Sequence, residues 1–515
     1  MNIAFIPIDN RPVCYTLPEQ VCAINSSINL FMPERKYLGS LTKYADVDKI
    51  FEWLEKIPKV DAIVMCLDTV AYGGLISSRR CPDAFDEIKN RVENLKSILE
   101  KKNAKIYAFS SIMRISNNNV NEEEKEYWDK WGKKIFDYSY QTHKLGTESC
   151  ISNIIPSEIL DDYLETRKRN FEINKLYLEY QKQGLFDTLV FSKDDCAEYG
   201  FNVQEAQVLE KLGGFIKTGA DEIPLTLLAR AVVKFFDAKM QRCKDAKSFT
   251  EPVAQSRHCE CERSNSVNSK VVGRDYCLDD ETSLKISPIF LAPEYKGLIS
   301  NYEDVSIEKS VKGQLELAGC KVCEPDEADI LLYVNNFEDH QGEIVMKVPT
   351  KPFSKKWQRP EKPYMIADVR YANGADNEFV KQLFEVGLGD NFYGYSAWNT
   401  SANSLGSLIC GAVVKYYGFK LQRCQDDNSK TVDRDYYPDN KNENFLKLQT
   451  IRFLDDWAYQ ANVRQELNSP DEKLVKEKMK PYEKMVFGLL GVDYNISYKF
   501  TWNRLFEVEI CILSN

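Results

Sequence analysis

Short, mainly apolar runs that end in an aspartate constrain the fold of this chain more than any other feature. The clearest, Thr188–Lys193, leads directly into the neighbouring carboxylates Asp194 and Asp195. The same arrangement recurs at three further run ends, Asp9, Asp68 and Asp368. A continuous apolar run is typical of a strand covered on both faces in a parallel sheet. Because α/β folds build their sites at the carboxyl ends of such strands, these run ends predict one acidic pocket.

Composition excludes several classes of protein. The 515 residues exceed one ordinary core, and a hydrophobic content of 43% fits a globular chain. A net charge of −10 argues against general nucleic-acid or anionic-membrane binding, since phosphate affinity needs clustered lysine and arginine. No apolar run approaches the roughly 20 residues of a membrane span. Residues 1–9 enter a strand without signal-peptide features, and most of the 15 cysteines lie in apolar segments, so we expect a cytoplasmic protein.

The alternation of strands and helices predicts a (β/α) barrel-like parallel sheet. Residues 1–237 are expected to form the first part of this catalytic α/β domain, and 284–420 its remainder. The polar, aperiodic residues 238–283 indicate an exposed insertion, and 421–515 a mostly helical C-terminal region with a final strand. The roughly ten candidate strands exceed an eight-stranded barrel, so either some are not strands or a smaller α/β unit is inserted near 285–350. The strands of the first part are predicted near residues 2–8, 29–33, 61–67, 105–112 and 188–193.

The scarcity of histidine narrows the chemistry. Only His143 lies near a plausible site, whereas His258 is in the expected insertion and His340 in a polar loop. A histidine-based metal cluster and a Ser-His-Asp triad are therefore not expected. The chain has no Gly-x-Gly-x-x-Gly motif after a strand and no P-loop, and the cysteines around His258 lack zinc-ligand spacing. We predict no metal and no other cofactor.

Carboxylates remain as the acid and base groups, and Asp194 and Asp195 are the predicted catalytic pair. Two close carboxylates push their pKa values apart, which leaves one protonated acid and one anion near neutral pH. Cleavage of a glycosidic bond requires this combination. The structural alternative is that one aspartate caps the following helix while the other pairs with Lys193.

Substrate-binding residues are predicted at the other strand ends. Arginine beside a carboxylate can hold hydroxyl pairs or an acidic group, aromatic rings can stack on a pyranose, and amides both donate and accept hydrogen bonds. The predicted set is Asp9, Arg11, Asp68, Tyr72, Arg80, Asp368, Asn373, Trp398, Asn399 and Asn403. The structural alternatives are a buried ion pair for Asp9 and Arg11, a core tryptophan, and helix-capping asparagines. Arg114 can add a cation, and Asp221 and Glu222 can either join the site or favour the start of a helix.

Several motifs together resemble a bacterial family that is catalogued only as a domain of unknown function, and the resemblance implies no activity. They span nearly the whole chain and comprise Asp9–Pro12, Asp68–Arg80, Asp194–Asp195, Gly219–Glu222, Ala372–Asp376, Ala397–Thr400 and Trp502–Arg504. The Asp-Asp pair followed by a strand-end Trp-Asn is also similar to the barrel β-N-acetylglucosaminidases, which use substrate-assisted cleavage.

This second likeness implies roles for individual residues. Asp194 would orient and polarise the 2-acetamido group of the sugar, and Asp195 would be the general acid and base. Asn399 would contact sugar hydroxyls, and Trp398 would form a wall of the pocket.

Three hypotheses follow. The first is a glycoside hydrolase that acts on a small amino-sugar glycoside and binds neither nucleic acid nor membrane; the oligomeric state does not follow from the sequence. The second is a hydrolase that holds Mg²⁺ or Mn²⁺ through carboxylates alone, with the ligands Asp9, Asp68, Asp194 and Asp368. The third is a non-catalytic protein that binds a sugar or an anion.

Overall fold

A computed structural model describes residues 1–194, 197–248, 283–426 and 442–513. The strands of the first half are β1 (Asn2–Ile6), β2 (Asn29–Phe31), β3 (Ala62–Cys66), β4 (Lys105–Ile112), β5 (Thr188–Lys193) and β6 (Phe215–Thr218). Its helices are α1 (Thr16–Ala23), α2 (Val47–Lys56), α3 (Leu67–Tyr72), α4 (Ser77–Arg80), α5 (Phe85–Glu100), α6 (Trp128–Leu145), α7 (Ser157–Lys182), α8 (Phe201–Lys211) and α9 (Ile223–Ser248).

The second half of the chain continues the alternation of strands and helices. Its strands are β7 (Lys285–Phe290), β8 (Lys321–Val322), β9 (Ile330–Asn335), β10 (Gly342–Glu343), β11 (Tyr364–Asp368), β12 (Tyr371–Ala372) and β13 (Phe392–Ser396), and its helices are α10 (Ile307–Leu317), α11 (Asn377–Val386) and α12 (Ser401–Asp426). The C-terminal region comprises α13 (Glu443–Arg452), a π-helix (Phe453–Asn462), a short 3₁₀-helix (Val463–Glu466), α14 (Glu472–Leu490), and the strands β14 (Asn495–Phe500) and β15 (Val508–Leu513).

The strands form two parallel sheets with the same connectivity. The first has six strands in the order β2-β1-β3-β4-β5-β6, and the second has five in the order β13-β11-β9-β7-β8. Counted from its own first strand, the first sheet runs 2-1-3-4-5-6 and the second runs 2-1-3-4-5. The order 2-1-3-4-5, which both share, is an order of doubly wound α/β folds. The predicted α/β class with parallel strands is confirmed. Among the described residues no strand pairing closes either sheet, and barrel-like closure stays a prediction.

Alternate residues of β1 in the first sheet belong to two different hydrophobic cores. Ile3 and Phe5 of β1 face a core shared with the second half, whereas Ala4 and Ile6 face a core against the outer helices. This is the period of two that a strand imposes, with both faces apolar because both are covered. Helix α9 packs on β3 and β4, α12 packs on β11 and β13, and the two helices pack on each other. The two sheets are thus joined through one continuous core.

The C-terminal region differs from the prediction of a single final strand at residues 500–510. β14 and β15 form an antiparallel hairpin, and the predicted strand covers its connection together with the last residue of β14 and the first three residues of β15. Trp502 and Asn503 have left-handed backbone conformations there, with φ of 56° and 53°. Trp502 donates from its indole nitrogen to Asn10 Oδ1 at 2.8 Å, so the connection reaches the end of β1.

The five strands predicted for the first part are confirmed. The sequence does not predict β6, of whose four residues one is exposed and three are only partly buried. Helix α9 continues to Ser248, into the expected insertion at 238–283; the rest of that insertion up to residue 282 lies outside the described residues. In the part of the chain that the structure describes, none of the helices is both long enough and apolar enough to span a membrane.

Candidate active site

A cavity of about 510 Å³ lies where the carboxyl ends of both sheets meet. The first sheet contributes residues that follow five of its six strands, and the second sheet contributes a tyrosine and several amides. The principal lining residues are Arg11, Arg79, Arg114, Glu122, Glu123, Asp194, Asp221, Tyr302, Asn373, Asn399, Thr400, Asn403, Arg464, Arg504 and Phe506. The volume is within the range of small-molecule sites, and the position is where doubly wound sheets bind ligands.

Arg11 connects three carboxylates at one wall of the cavity. Its guanidinium lies 2.8 Å from Asp9, 2.6 Å from Asp221 and 3.3 Å from Glu507. Burial raises the pKa of Asp9, and Arg11 opposes that rise. The predicted pair of Asp9 and Arg11 therefore exists as a buried ion pair, with Arg11 at the cavity surface and Asp9 supporting it.

Glu123 is the centre of a second charge network. Burial alone raises its pKa, but Arg114, Arg79 and Arg504 together bring the pKa below its usual range. Arg114 and Arg504 each lie 2.8 Å from its carboxylate oxygens, and Arg79 lies 3.5 Å away. A carboxylate that three arginines keep ionised holds cations in position and is unsuited to act as a general acid.

Asp194 lies in the cavity, with an oxygen 3.8 Å from Arg114 Nη1. Its sequence neighbour Asp195 lies outside the described residues. Lys193, which the structural alternative paired with one of these aspartates, forms an ion pair with Asp304. The following helix begins at Phe201 and has Gly200 in the capping position, so Asp194 does not cap it.

Strained backbone is concentrated around the cavity. Asn373 and Asn399 have φ of 61° and 63°, and the Asn373 amide nitrogen donates to the Asn399 carbonyl at 2.9 Å. Tyr302 has φ of 67°, which is costly for a bulky residue. Trp502, also left-handed, lies against Arg11 and Arg504, with guanidinium carbons 5.3 and 4.7 Å from its ring centroid. Strained residues are often found at functional sites, because the surrounding structure must hold them there.

Asn403 carries an unsatisfied polar group at the cavity wall. The residue is 8% exposed, and its buried Oδ1 atom has no hydrogen-bond partner among the described residues. Buried polar groups are nearly always paired in folded proteins. Asn403 therefore has unused hydrogen-bonding capacity at the cavity wall.

Of the ten residues predicted to bind substrate, the cavity brings together Arg11, Asn373, Asn399 and Asn403. Asp68 instead accepts hydrogen bonds from the backbone nitrogen and Oγ of Ser111, both at 2.8 Å, and burial raises its pKa to about 6. Arg80 donates to backbone carbonyls, among them those of Leu41 and Glu124 at 2.8 Å, and so fixes the loop that carries Glu123.

Tyr72 lines a different cavity of about 360 Å³, together with Asp46 and Asp83. Trp398 packs against Phe506 at a centroid distance of 5.9 Å, and lies behind the cavity surface. Both side chains are buried. For Trp398 this agrees with the structural alternative of a tryptophan in the core.

Asp368 is completely buried at the end of β11. It accepts hydrogen bonds from Asn335 at 2.8 Å, from the backbone nitrogen of Asp376 at 2.9 Å and from the Tyr395 hydroxyl at 3.0 Å. Burial and then the charge of Asp376 raise its pKa to about 7. This network ties β9, β11 and β13 together beneath the cavity.

Sequence reasoning missed several residues of the site, namely Arg79, Glu122, Glu123, Tyr302, Arg464, Arg504 and Phe506. Arg79 and Arg504 lie within two of the family motifs, Asp68–Arg80 and Trp502–Arg504, so the sequence does mark both residues. Arg464 follows the π-helix, and no motif marks it. Within the described residues, no group of three or more histidine, cysteine, aspartate or glutamate side chains could hold a metal ion.

Comparison with known proteins identifies the family. A family model described as "Protein of unknown function (DUF4127)" matches residues 3–511, so the chain belongs to that family. No curated protein and no solved structure matches the chain. The resemblance to a domain of unknown function is therefore confirmed over nearly the whole length.

Proposed function

We propose that this member of the DUF4127 family is a glycoside hydrolase that acts on a small N-acetylamino-sugar glycoside. The observation that carries the proposal is the cavity itself, which Asp194 lines together with Asn373, Asn399 and Asn403. Amides that can donate and accept suit the hydroxyls and acetamido group of a sugar. The cavity volume of about 510 Å³ is sufficient for one or two sugar rings.

In the proposed mechanism Asp194 orients and polarises the 2-acetamido group. The acetamido oxygen bonds to the anomeric carbon as the glycosidic bond breaks, and Asp195 protonates the leaving oxygen. Asp195 then takes a proton from the water that opens the cyclic intermediate. The guanidinium of Arg114, 3.8 Å from Asp194, favours the ionised carboxylate that polarisation requires.

The finer prediction of barrel-like closure remains part of this proposal. The chemistry does not depend on it, because doubly wound sheets also bind their ligands at the carboxyl ends of strands.

The metal-dependent hypothesis has less support from the positions of its carboxylates. Asp9 binds Arg11, Asp68 binds Ser111, and Asp368 binds Asn335 and Tyr395. Of the four ligands that this hypothesis requires, Asp194 is the one that lines the cavity. The hypothesis of a non-catalytic binding protein is favoured by the arginines, since five of them line the cavity.

A release assay on chromogenic glycosides tests the proposal. The wild-type protein is compared with Asp194→Asn and Asp195→Asn, each with and without EDTA, on N-acetyl sugars and on their 2-hydroxyl counterparts. Asp339→Asn is the matched control, because it makes the same change at an exposed aspartate that does not line the cavity. We expect EDTA-resistant release that the control retains and that both Asp194→Asn and Asp195→Asn lose.

Release that persists in both Asp194→Asn and Asp195→Asn would refute the carboxylate pair. Release that EDTA abolishes would favour the metal-dependent hypothesis. Binding of a sugar without release from any glycoside would favour the non-catalytic hypothesis.

A further inference from the structure

Arg464 differs from the other arginines of the cavity in having no carboxylate partner. Arg11, Arg79, Arg114 and Arg504 each form at least two ion pairs with aspartate or glutamate. Arg464 forms no ion pair with any carboxylate of the described residues, and the one described hydrogen bond of its side chain runs from Nη1 to Gln460 Oε1 at 2.8 Å. Its charge is therefore held at the cavity wall without a direct counter-ion.

The side chain of Arg464 is nonetheless held in position. Its guanidinium carbon lies 5.2 Å from the centroid of the Phe506 ring. Gln460, completely buried in the π-helix, accepts from Arg464 and itself donates to Asp455 at 3.1 Å and to the Phe506 carbonyl at 3.2 Å. A stacked arginine loses little further freedom when it binds a ligand, which favours affinity.

A partly buried guanidinium without a carboxylate in ion-pair contact carries an energetic cost. Burial lowers the pKa of Arg464, because water no longer fully solvates the charge, although the more distant Glu507, Glu343 and Asp455 oppose this effect in part. An arginine stays protonated at neutral pH, so an anion bound directly to the guanidinium relieves the remaining cost. The unsatisfied, nine-tenths buried amide of Asn403 lines the same cavity and needs a hydrogen-bond partner as well.

We propose that the ligand of this cavity carries a carboxylate or phosphate group that binds Arg464, while its neutral part hydrogen-bonds to Asn403. The inference that the ligand is a sugar rests on the proposed function. The inference that it carries a negative charge rests on the surroundings of Arg464. Guanidinium groups match both anions, because their N–H donors form paired, charge-assisted hydrogen bonds with either.

Dissociation constants for matched sugars test this proposal. N-acetylglucosamine is the neutral parent, N-acetylglucosamine 6-phosphate adds a phosphate, and N-acetylmuramate adds a carboxylate; inorganic phosphate is measured alone. Calorimetric titration of the wild-type protein is expected to give a dissociation constant about tenfold to hundredfold lower for at least one acidic sugar than for the parent. The arm that binds tightly identifies the anion.

Arg464→Gln is expected to remove this preference, whereas Arg464→Lys retains part of it. Arg359→Gln is the matched control, since it makes the same substitution at an exposed arginine that does not line the cavity, and it should leave the preference intact. If Arg464→Gln does not fold, the salt dependence of the wild-type protein decides: the preference for the acidic sugar must shrink as ionic strength rises.

The proposal is overturned if the acidic sugars bind no better than the parent, if none of the sugars binds, or if Arg464→Gln keeps the preference. These outcomes are separate from the release assay. Tight binding of an acidic sugar without cleavage upholds the anion site and refutes the hydrolase. Cleavage of neutral glycosides, with no preference for acidic sugars, upholds the hydrolase and refutes the anion site.

Discussion

Arg11 and Asp221 are 210 residues apart in the chain, yet Nη2 of the arginine lies 2.6 Å from Oδ1 of the aspartate. Arg11 follows β1, which is next to one edge of the first sheet, and Asp221 follows β6, which is the opposite edge strand. The same guanidinium reaches Glu507 of the C-terminal hairpin at 3.3 Å. One side chain thus fixes three separate parts of the chain around the cavity.

Replacing Arg11 is expected to destabilise the fold strongly. Arg11→Gln leaves Asp9 and Asp221 as buried carboxylates without their counter-ion, which costs on the order of 3–5 kcal/mol. The free energy of unfolding from urea titration measures this loss. Lys49→Gln serves as the control, because it removes an exposed pair with Glu52 and should leave stability unchanged. A similar small effect of both substitutions would show that the Arg11 network does not hold the site together.

Asp368 makes stability depend on pH in the direction opposite to an ordinary ion pair. Its folded pKa of about 7 exceeds the unfolded value, so the folded protein binds the proton more tightly. Its contribution to stability is complete below about pH 4 and is lost as pH rises through 7. In Asp368→Asn the fall in unfolding free energy between pH 4.5 and 8 should be smaller, by on the order of 1–3 kcal/mol. Parallel pH profiles for the two proteins would contradict the raised pKa.

Glu123 should have the reverse effect at acid pH. Its three arginines hold its pKa below the unfolded value, so its stabilising contribution is complete at neutral pH, begins to decline below about pH 4.5 and disappears only below the lowered folded pKa. We expect Glu123→Gln to lose on the order of 2 kcal/mol of stability at pH 7 and clearly less at pH 3, as measured by urea unfolding at both values. Glu93→Gln, at an exposed position, provides the comparison. An equal loss at both pH values would mean that Glu123 stabilises by packing alone.

Asn399 has separable backbone and side-chain roles. Asn399→Gly keeps a residue that adopts the observed φ of 63° easily, but removes the amide from the cavity. Asn399→Ala removes the amide and adds strain of about 1 kcal/mol. We expect both variants to lose sugar affinity equally, and the alanine variant alone to unfold at a lower urea concentration. Unchanged affinity in the glycine variant would remove Asn399 from the binding site.

The sequence predicts the first sheet well because most of its strands are apolar runs that can be recognised without knowledge of the fold. The apolar run Ala62–Cys66 is buried throughout, as a strand covered on both faces must be. The polar residues that follow the strands are equally visible in the sequence, and they include Arg11, Asp194, Asn373 and Asn399.

The remaining site residues depend on tertiary packing that no local pattern encodes. Arg464 and Arg504 reach the cavity because the π-helix and the β14–β15 hairpin pack against the ends of both sheets. Asp68 and Asp368 have the same sequence context as Asp194, yet neighbouring hydrogen-bond donors at Ser111 and Asn335 bind them beneath the surface. Which strand-end carboxylate faces the cavity is decided by those neighbours.

The most direct test of the proposed chemistry is the rate of aglycone release from a 2-acetamido glycoside relative to the matching 2-hydroxyl glycoside. Substrate-assisted cleavage predicts that the wild-type protein, in EDTA, releases the aglycone from the acetamido sugar alone. It also predicts that Asp194→Asn slows this release by at least about a hundredfold, because the acetamido group is no longer oriented. Equal release from both sugars, or unchanged release by Asp194→Asn, would contradict the account.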